Sequence, residues 1–523
     1  MPWLIGAVML CVYGVTLNHW INVSNVGPVA IVCGWMWQPQ LYSPLTFLVT
    51  LPFRCLPTAA VPLALNLFSA ACAALALALL ARSVAILPHD RTEMERMRER
   101  NDFSFLTGWV AWIPPLIAVI FAGLQLPFWQ SATSFTSESF NLLWFALIVW
   151  QLLEYRLDER DGRLYVAAVL YGVGLPENWA LVGFFPLFLT MLIWLRRLDF
   201  FDSTFLTRMS ISGFGGLLMF LLLPAIAKVS AHTGHYPLTF WQALKPALQS
   251  DWQVIKSIKE SGIRHCLALS SLTSLLPLFF LSIRWSSSFG DSSRMGTTLV
   301  NYFIHVVNAV ILGVLLWVSF DPPFSAHQLV QRLGLTTSSL TLHYLTALCI
   351  GYYCGYFLLI FGKRAIPSRR YSKPEPALPE ALLWLCPVIV FGTLVTVAVG
   401  AGLLLYKNAP VVRAANSDAL LQYAQFAAEN LPPQGAILLC DSDSVNQDMP
   451  LRACLMQGLL ARQGREKDYP VVDTQALNWA PYHEYLHKRY PKFWPQTATT
   501  NELAAGTVNP LHVFVVLHQL AQS

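Results

Sequence analysis

Gln130-Ser131-Ala132-Thr133-Ser134-Phe135-Thr136-Ser137-Glu138-Ser139-Phe140-Asn141 runs straight into Leu142–Leu153, which is almost wholly apolar. The junction reads as the mouth of a membrane helix with a carboxylate at its rim. A charge at the edge of a bilayer is costly unless it has a partner or a task. Two readings of Glu138 follow: a general base or charge stabiliser facing a cavity, or a first-turn acid favoured by the helix dipole behind a polar, capping run.

The rest of the chain has the same character. Of 523 residues, 55% are hydrophobic and 12% charged, with mean hydropathy +0.49. Soluble domains are about a quarter charged, so most of this protein lies in lipid. The net charge of +5 is mild, and the basic residues cluster in loops between apolar runs. That pattern reports membrane orientation and not nucleic-acid binding. The start, Met1-Pro2-Trp3-Leu4, has no basic leader, so the first apolar run reads as a retained span.

Runs long enough to cross a bilayer fall near 3–17, 59–81, 106–125, 139–155, 164–175, 178–195, 209–228, 266–283, 299–319, 344–361 and 382–406. The expected fold is therefore mainly α, a polytopic bundle of about eleven spans. One set of loops is rich in arginine, among them Arg82, Arg91, Arg96, Arg156, Arg160, Arg163, Arg196, Arg197, Arg364, Arg369 and Arg370. Those loops read as cytoplasmic, together with the N-terminus. The first loop, the Glu138 loop, the 229–265 loop and everything after Tyr406 then face outward.

The first outward loop holds two apolar runs too short to span, Val26–Trp37 and Pro44–Leu56, which read as interfacial or re-entrant helices. After Lys407 the composition turns soluble, dividing the chain into a membrane domain, 1–406, and an outward α/β domain, 407–523. In the second, helices are expected at Ser417–Asn430, Arg452–Arg462 and Tyr482–Lys488. Strands are expected at Ala436–Leu439, Val471–Asp473 and Val513–Leu517, giving a small parallel sheet. Cys440 and Cys454 stand in this polar region, either as a disulfide or as two thiols; the other cysteines lie in or beside apolar runs, as small hydrophobes.

Candidate chemistry concentrates outside. Pro176-Glu177-Asn178-Trp179 breaks an apolar stretch and sets Glu177 and Asn178 at the level of Glu138, as a site or as a solvated turn. The first loop offers His19, Asn25, Gln38, Gln40 and Tyr42, amides and aromatics that suit a sugar's hydroxyls and faces. Aromatics belong equally to a membrane interface. His232 and His235 could meet a metal or a phosphate, or be interfacial decoration. The residues themselves spell out no metal-ligand set.

Four stretches resemble a known family. They are Gln38-Pro39-Gln40-Leu41-Tyr42-Ser43-Pro44-Leu45 followed by Asn66-Leu67-Phe68-Ser69-Ala70; Phe128-Trp129 through Ser137-Glu138-Ser139-Phe140; Gly174-Leu175-Pro176-Glu177-Asn178; and Leu431–Asp443 with Tyr469-Pro470-Val471-Val472. In order and spacing they resemble a bacterial multipass family related to the eukaryotic lumenal protein O-mannosyltransferases, within the glycosyltransferase C-type superfamily.

The resemblance implies a helix bundle of that superfamily's fold in a bacterial inner membrane, with the C-terminal domain periplasmic. It implies transfer of a sugar from a polyprenyl-phosphate donor to a protein or glycan acceptor on the periplasmic face. Glu138 and Glu177 would be the catalytic acids. His19, Asn25, Gln38, Gln40, Tyr42 and Asn178 would line the sugar side, and His232 and His235 would lie near the carrier phosphate. The superfamily's outward acid acts as base or metal partner, which leaves a divalent metal open. This chain departs from the family pattern: Ser24 and Gly27 stand where family members have acids, Gln38 where His is common, and Asn178 where a His ends the later turn. Activating a hydroxyl needs a base. Either Glu138 or Glu177 supplies it, or the chain is a degenerate relative, a scaffold that binds a lipid-linked sugar without turning it over. A transporter is the third reading, since broken helices and buried acids fit one.

Overall fold

A computed structural model describes residues 1–37, 43–87, 108–222, 294–323, 339–362, 384–429, 431–433, 435–441, 451–494, 498–499 and 506–522, with single positions between 224 and 256 and at 325, 328 and 502. The expected span 266–283, and Gln38, Gln40, Tyr42, His232 and His235, lie outside the described residues.

The helices are α1 (Pro2–Val15), α2 (Val26–Val32), α3 (Pro44–Thr50), α4 (Val61–Ile86), α5 (Ile113–Gly123), α6 (Leu126–Thr133), α7 (Ser137–Asp158), α8 (Asp161–Gly174), α9 (Phe185–Arg196), α10 (Ser203–Leu217), α11 (Arg294–Val318), α12 (Ser339–Gly362) and α13 (Leu385–Ala415). Among the described residues three helices are long and apolar enough to cross a membrane: Val61–Ile86, Ser203–Leu221 and Leu385–Ala428. The segments Val110–Gly123 and Leu126–Thr133 qualify together, with a 76° bend between them. The chain is a mainly helical membrane protein.

The core gathers around α4, which packs against α1, α5, α6, α7 and α12. Apart from Asn66, Ser69, Arg82 and Ser83 it is apolar on every face, as suits a helix packed among other helices. Small side chains let its neighbours approach: a Cβ on Gly6 of α1 would meet Ala78 Cβ at 2.9 Å. The tightest crossing joins α8 and α10, where a Cβ on Gly172 would lie 2.1 Å from the carbonyl oxygen of Gly213. Without a hydrophobic drive between helices in lipid, such backbone approach is a main source of packing energy.

The bend between α5 and α6 follows from Pro127. Proline has no N–H, so the Gly123 carbonyl loses its in-helix donor four residues on. Tyr13 replaces it, its hydroxyl donating to Gly123 O at 3.1 Å. Asn408 Nδ2 of α13 donates to Leu124 O at 2.7 Å. Freed backbone groups inside a membrane bundle need such partners.

Beyond the bundle come α14 (Ala419–Ala428), β1 (Leu438–Cys440), α15 (Leu451–Gln463), β2 (Val471–Asp473), α16 (Ala480–Arg489) and α17 (Pro510–Gln522). β1 and β2 pair in parallel, Leu438 opposite Val471, with α15 as the crossover that parallel strands require. The expected third strand, Val513–Leu517, is instead part of α17. A short apolar run is ambiguous between strand and buried helix. Here Pro510 starts a helix whose Val513, Val516 and Leu517 turn inward while Leu511, Phe514 and Val515 are exposed. Cys440 and Cys454 are free thiols, and burial pushes Cys454 up to about 12. The composition change at Tyr406 falls inside α13, which runs unbroken to Ala415.

The C-terminal region sits on the first loop. Val26, Val29 and Ala30 of α2 are covered by a cluster that includes Leu421, Leu455 and Leu459, so protein buries the apolar face of this short helix. Gly458 permits the contact: a Cβ there would meet Ile21 Cδ1 at 2.9 Å and Trp35 at 3.1 Å. Arg489 donates to Gly34 O at 2.6 Å, joined by Tyr485 Oη at 3.0 Å.

Candidate functional site

α7 and α8 form an antiparallel pair, so the start of one and the end of the other share one end of the bundle. That brings Glu138, in the first turn of α7, to the same end as Glu177, three residues past α8. α3 lies between them in packing terms: Leu45 shares a cluster with Phe140 of α7 and Val173 of α8.

The two acids differ in surroundings. Glu177 is 7% exposed. Its Oε2 accepts from the backbone N–H of Leu45 at 2.9 Å and of Thr46 at 3.2 Å, and its Oε1 accepts from the Thr46 hydroxyl. These are otherwise orphaned donors of the first turn of α3. Burial raises the Glu177 carboxyl above its ordinary range, against the lowering effect of those hydrogen bonds. Glu138 is half-buried and follows the N-cap Thr136.

A network of amides holds the chain around Glu138. Asn66 of α4 is 0% exposed. Its Nδ2 donates to the carbonyls of Asn18 at 2.7 Å and Trp20 at 3.1 Å. Its Oδ1 accepts from Phe135 N at 2.8 Å and Asn25 Nδ2 at 3.0 Å. Asn25 Oδ1 accepts from Asn22 N at 2.7 Å. Asn22 Nδ2 reaches Asn416 Oδ1 at 3.3 Å, and Asn416 Nδ2 donates to Thr16 O and Thr133 Oγ1. Ser69 and Ser139 both donate to Ser131 O, at 2.7 and 2.8 Å.

Of the residues expected to line the sugar side, His19 is exposed. Asn25 is fully buried, its side-chain carbonyl and amide both engaged, and it braces the loop. Asn178 is buried, and its backbone forms the turn after α8 through Gly174 O at 2.9 Å and Leu181 N at 3.0 Å. Ser24, at a place where an acid is expected, donates to Asn22 Oδ1 and meets Ser134 Oγ at 3.3 Å. Among the described residues no group of three or more His, Cys, Asp or Glu side chains is arranged to hold a metal. Sequence reasoning did not assign roles to Asn66 and Asn416. The signal for Asn66 was an amide inside an apolar span, where an unpartnered polar group is expensive.

Residues 43–199, from the start of α3 through α9, match the family model of the protein O-mannosyl-transferase TMEM260 N-terminal domain. The chain is a relative of the protein O-mannosyltransferases. This kinship covers Glu138, Glu177 and Asn66, whereas the C-terminal region lies outside the O-mannosyl-transferase match. The crystal structure of the Archaeoglobus fulgidus oligosaccharyltransferase, tethered to an acceptor peptide containing an Asn-Val-Thr sequon, is similar at 14% identity and a TM-score of 0.37, over 99% of this chain and 68% of that one. A comparison with curated proteins found no match.

Proposed function

We propose that this chain is a polytopic membrane glycosyltransferase of about eleven spans that moves a sugar from a polyprenyl-phosphate donor to a hydroxyl of a protein or glycan. The reaction takes place on the periplasmic face of a bacterial inner membrane, where the C-terminal domain also lies. The observation that carries the reading is the O-mannosyl-transferase match over 43–199, which centres the relationship on the helices around Glu138.

In this reading Glu138 takes the proton of the acceptor hydroxyl. The oxygen attacks the anomeric carbon of the sugar, and the bond from that carbon to the phosphate oxygen breaks. The phosphate leaves with the electron pair on its polyprenyl carrier. Glu177 is the second acid and works by fixing α3, whose first residues follow the segment bearing Gln38, Gln40 and Tyr42. His19, those three residues and Asn178 serve the sugar side, with His232 and His235 near the carrier phosphate.

A second reading has an observation of its own. Where acids are expected in the first loop, the described residues carry an uncharged network of Asn18, Asn22, Ser24 and Asn25. A degenerate relative that binds a lipid-linked sugar and acts as a scaffold would keep that network and lose turnover. The test is transfer of radiolabelled mannose from polyprenyl-phosphate mannose to acceptor in membranes holding the full chain. Glu138→Gln should lower transfer by about 100-fold or more, the usual scale for a general base. Unchanged transfer removes Glu138 as the base, and wild-type binding of the donor without release of the carrier establishes the scaffold.

A further inference from the structure

We infer that Asn66 is the positioning residue for Glu138, an uncharged clamp that sets the Glu138 turn against the first outward loop; the inference rests on the assignment of Glu138 as the base. An asparagine amide has two donor hydrogens and one oxygen with two lone pairs. All four are used in Asn66, three on the loop between α1 and α2 (the carbonyls of Asn18 and Trp20 and the amide of Asn25) and one on the backbone N–H of Phe135, three residues before Glu138. Ser69, one turn further along α4, takes hold of the same hairpin at Ser131 O, and Ser139 fastens the start of α7 to that carbonyl. The register of Glu138 is thus tied to α4 through Phe135 and Ser131, and Ser139 closes the turn on its other side.

The clamp also reaches the C-terminal end of α13. Asn25 joins Asn22, and Asn22 joins Asn416, which in turn holds Thr133 of the Glu138 hairpin. The ring of contacts closes on itself without a carboxylate or a cation. An asparagine cannot be replaced here by an isostere without leaving a buried donor or acceptor unmet. Asn66→Asp keeps the two acceptor bonds and loses both donors to Asn18 and Trp20; Asn66→Ala loses all four.

The test combines hydrogen exchange on the full chain in lipid nanodiscs with mannose transfer from polyprenyl-phosphate mannose. In Asn66→Ala, amides of peptides covering 18–26 and 131–138 should exchange at least about 10-fold faster, while peptides of α8 and α10 stay unchanged and report an intact bundle. The maximal rate of transfer should fall about 10-fold or more, with KM for the donor within about 2-fold, because a positioning loss acts on the reacting geometry. Asn66→Asp should be intermediate in both readouts and serves if the alanine variant does not fold. Unchanged exchange at 131–138 overturns the clamp. Faster exchange with normal transfer, where Glu138→Gln is inactive, overturns positioning. Normal transfer by Glu138→Gln itself overturns the assignment of the base, and the positioning role falls with it.

Discussion

Glu177 and Glu138 share one end of the bundle and nearly the same packing neighbourhood, yet they occupy opposite kinds of environment. Glu177 is buried, and both its oxygens are occupied by the first turn of α3. Glu138 is half-buried at the first turn of α7, in a hairpin held by other residues. The comparison teaches that a carboxylate's task is decided by what its surroundings already ask of it. One acid satisfies backbone donors and organises a short helix; the other is itself held in place by its hairpin.

Stability should separate the two most sharply. Glu177→Ala strands two backbone N–H groups and a hydroxyl in a buried place, and should cost roughly 2–4 kcal/mol at ordinary values for unmet donors. Glu138→Ala removes a first-turn acid and should cost about 0.3–1 kcal/mol, the usual helix-dipole scale. Thermal unfolding in detergent, followed by tryptophan fluorescence, reads both. Equal losses would dissolve the distinction between them.

A smaller effect tests whether the frame around the two acids extends to the C-terminal region. Gly458→Val forces a side chain against Ile21 and Trp35 and should cost about 1–2 kcal/mol by overpacking. It should also raise protease sensitivity after α13. No change would detach that region from the first loop.

The smallest effect is a control lying away from both acids. Burial raises Glu502, but hydrogen bonds from Thr499, Asn509 and His512 prevail and hold its carboxyl at about 2. A depressed carboxyl stabilises the fold above its unfolded value near 4.5 and loses that contribution as pH falls toward 2. Proteolysis of the tail beyond 498 should therefore increase over that window while the α7–α8 hairpin stays protected. A flat response would remove Glu502 as a tether.

Much of the architecture was legible in the sequence because lipid imposes long apolar runs. The helices α1, α4, α7, α8, α12 and α13 fall where those runs do, and Val26–Trp37 and Pro44–Leu56 do contain short helices. The 76° break after α5 falls at the end of the expected run 106–125, and hydropathy gave no sign that the chain continues there as α6. α17 passed as a strand because five apolar residues fit either period. Of the site, the two acids were visible as charges out of place. Asn25 was visible as a loop amide, but its partners Asn22 and Asn66 were not, because an amide in a loop gives no sign of which groups surround it. The role of Asn66 depends on partners 41 to 69 residues away, and no local pattern reveals those.

In the proposed reaction Glu138 reacts and Glu177 supports. Mannose transfer from polyprenyl-phosphate mannose, measured side by side for Glu138→Gln and Glu177→Gln at equal amounts of folded protein, tests it most directly. Glu138→Gln should lose about 100-fold or more, and Glu177→Gln far less, accompanied by lower stability. Full transfer by Glu138→Gln, or a loss confined to Glu177→Gln in stable protein, would contradict it.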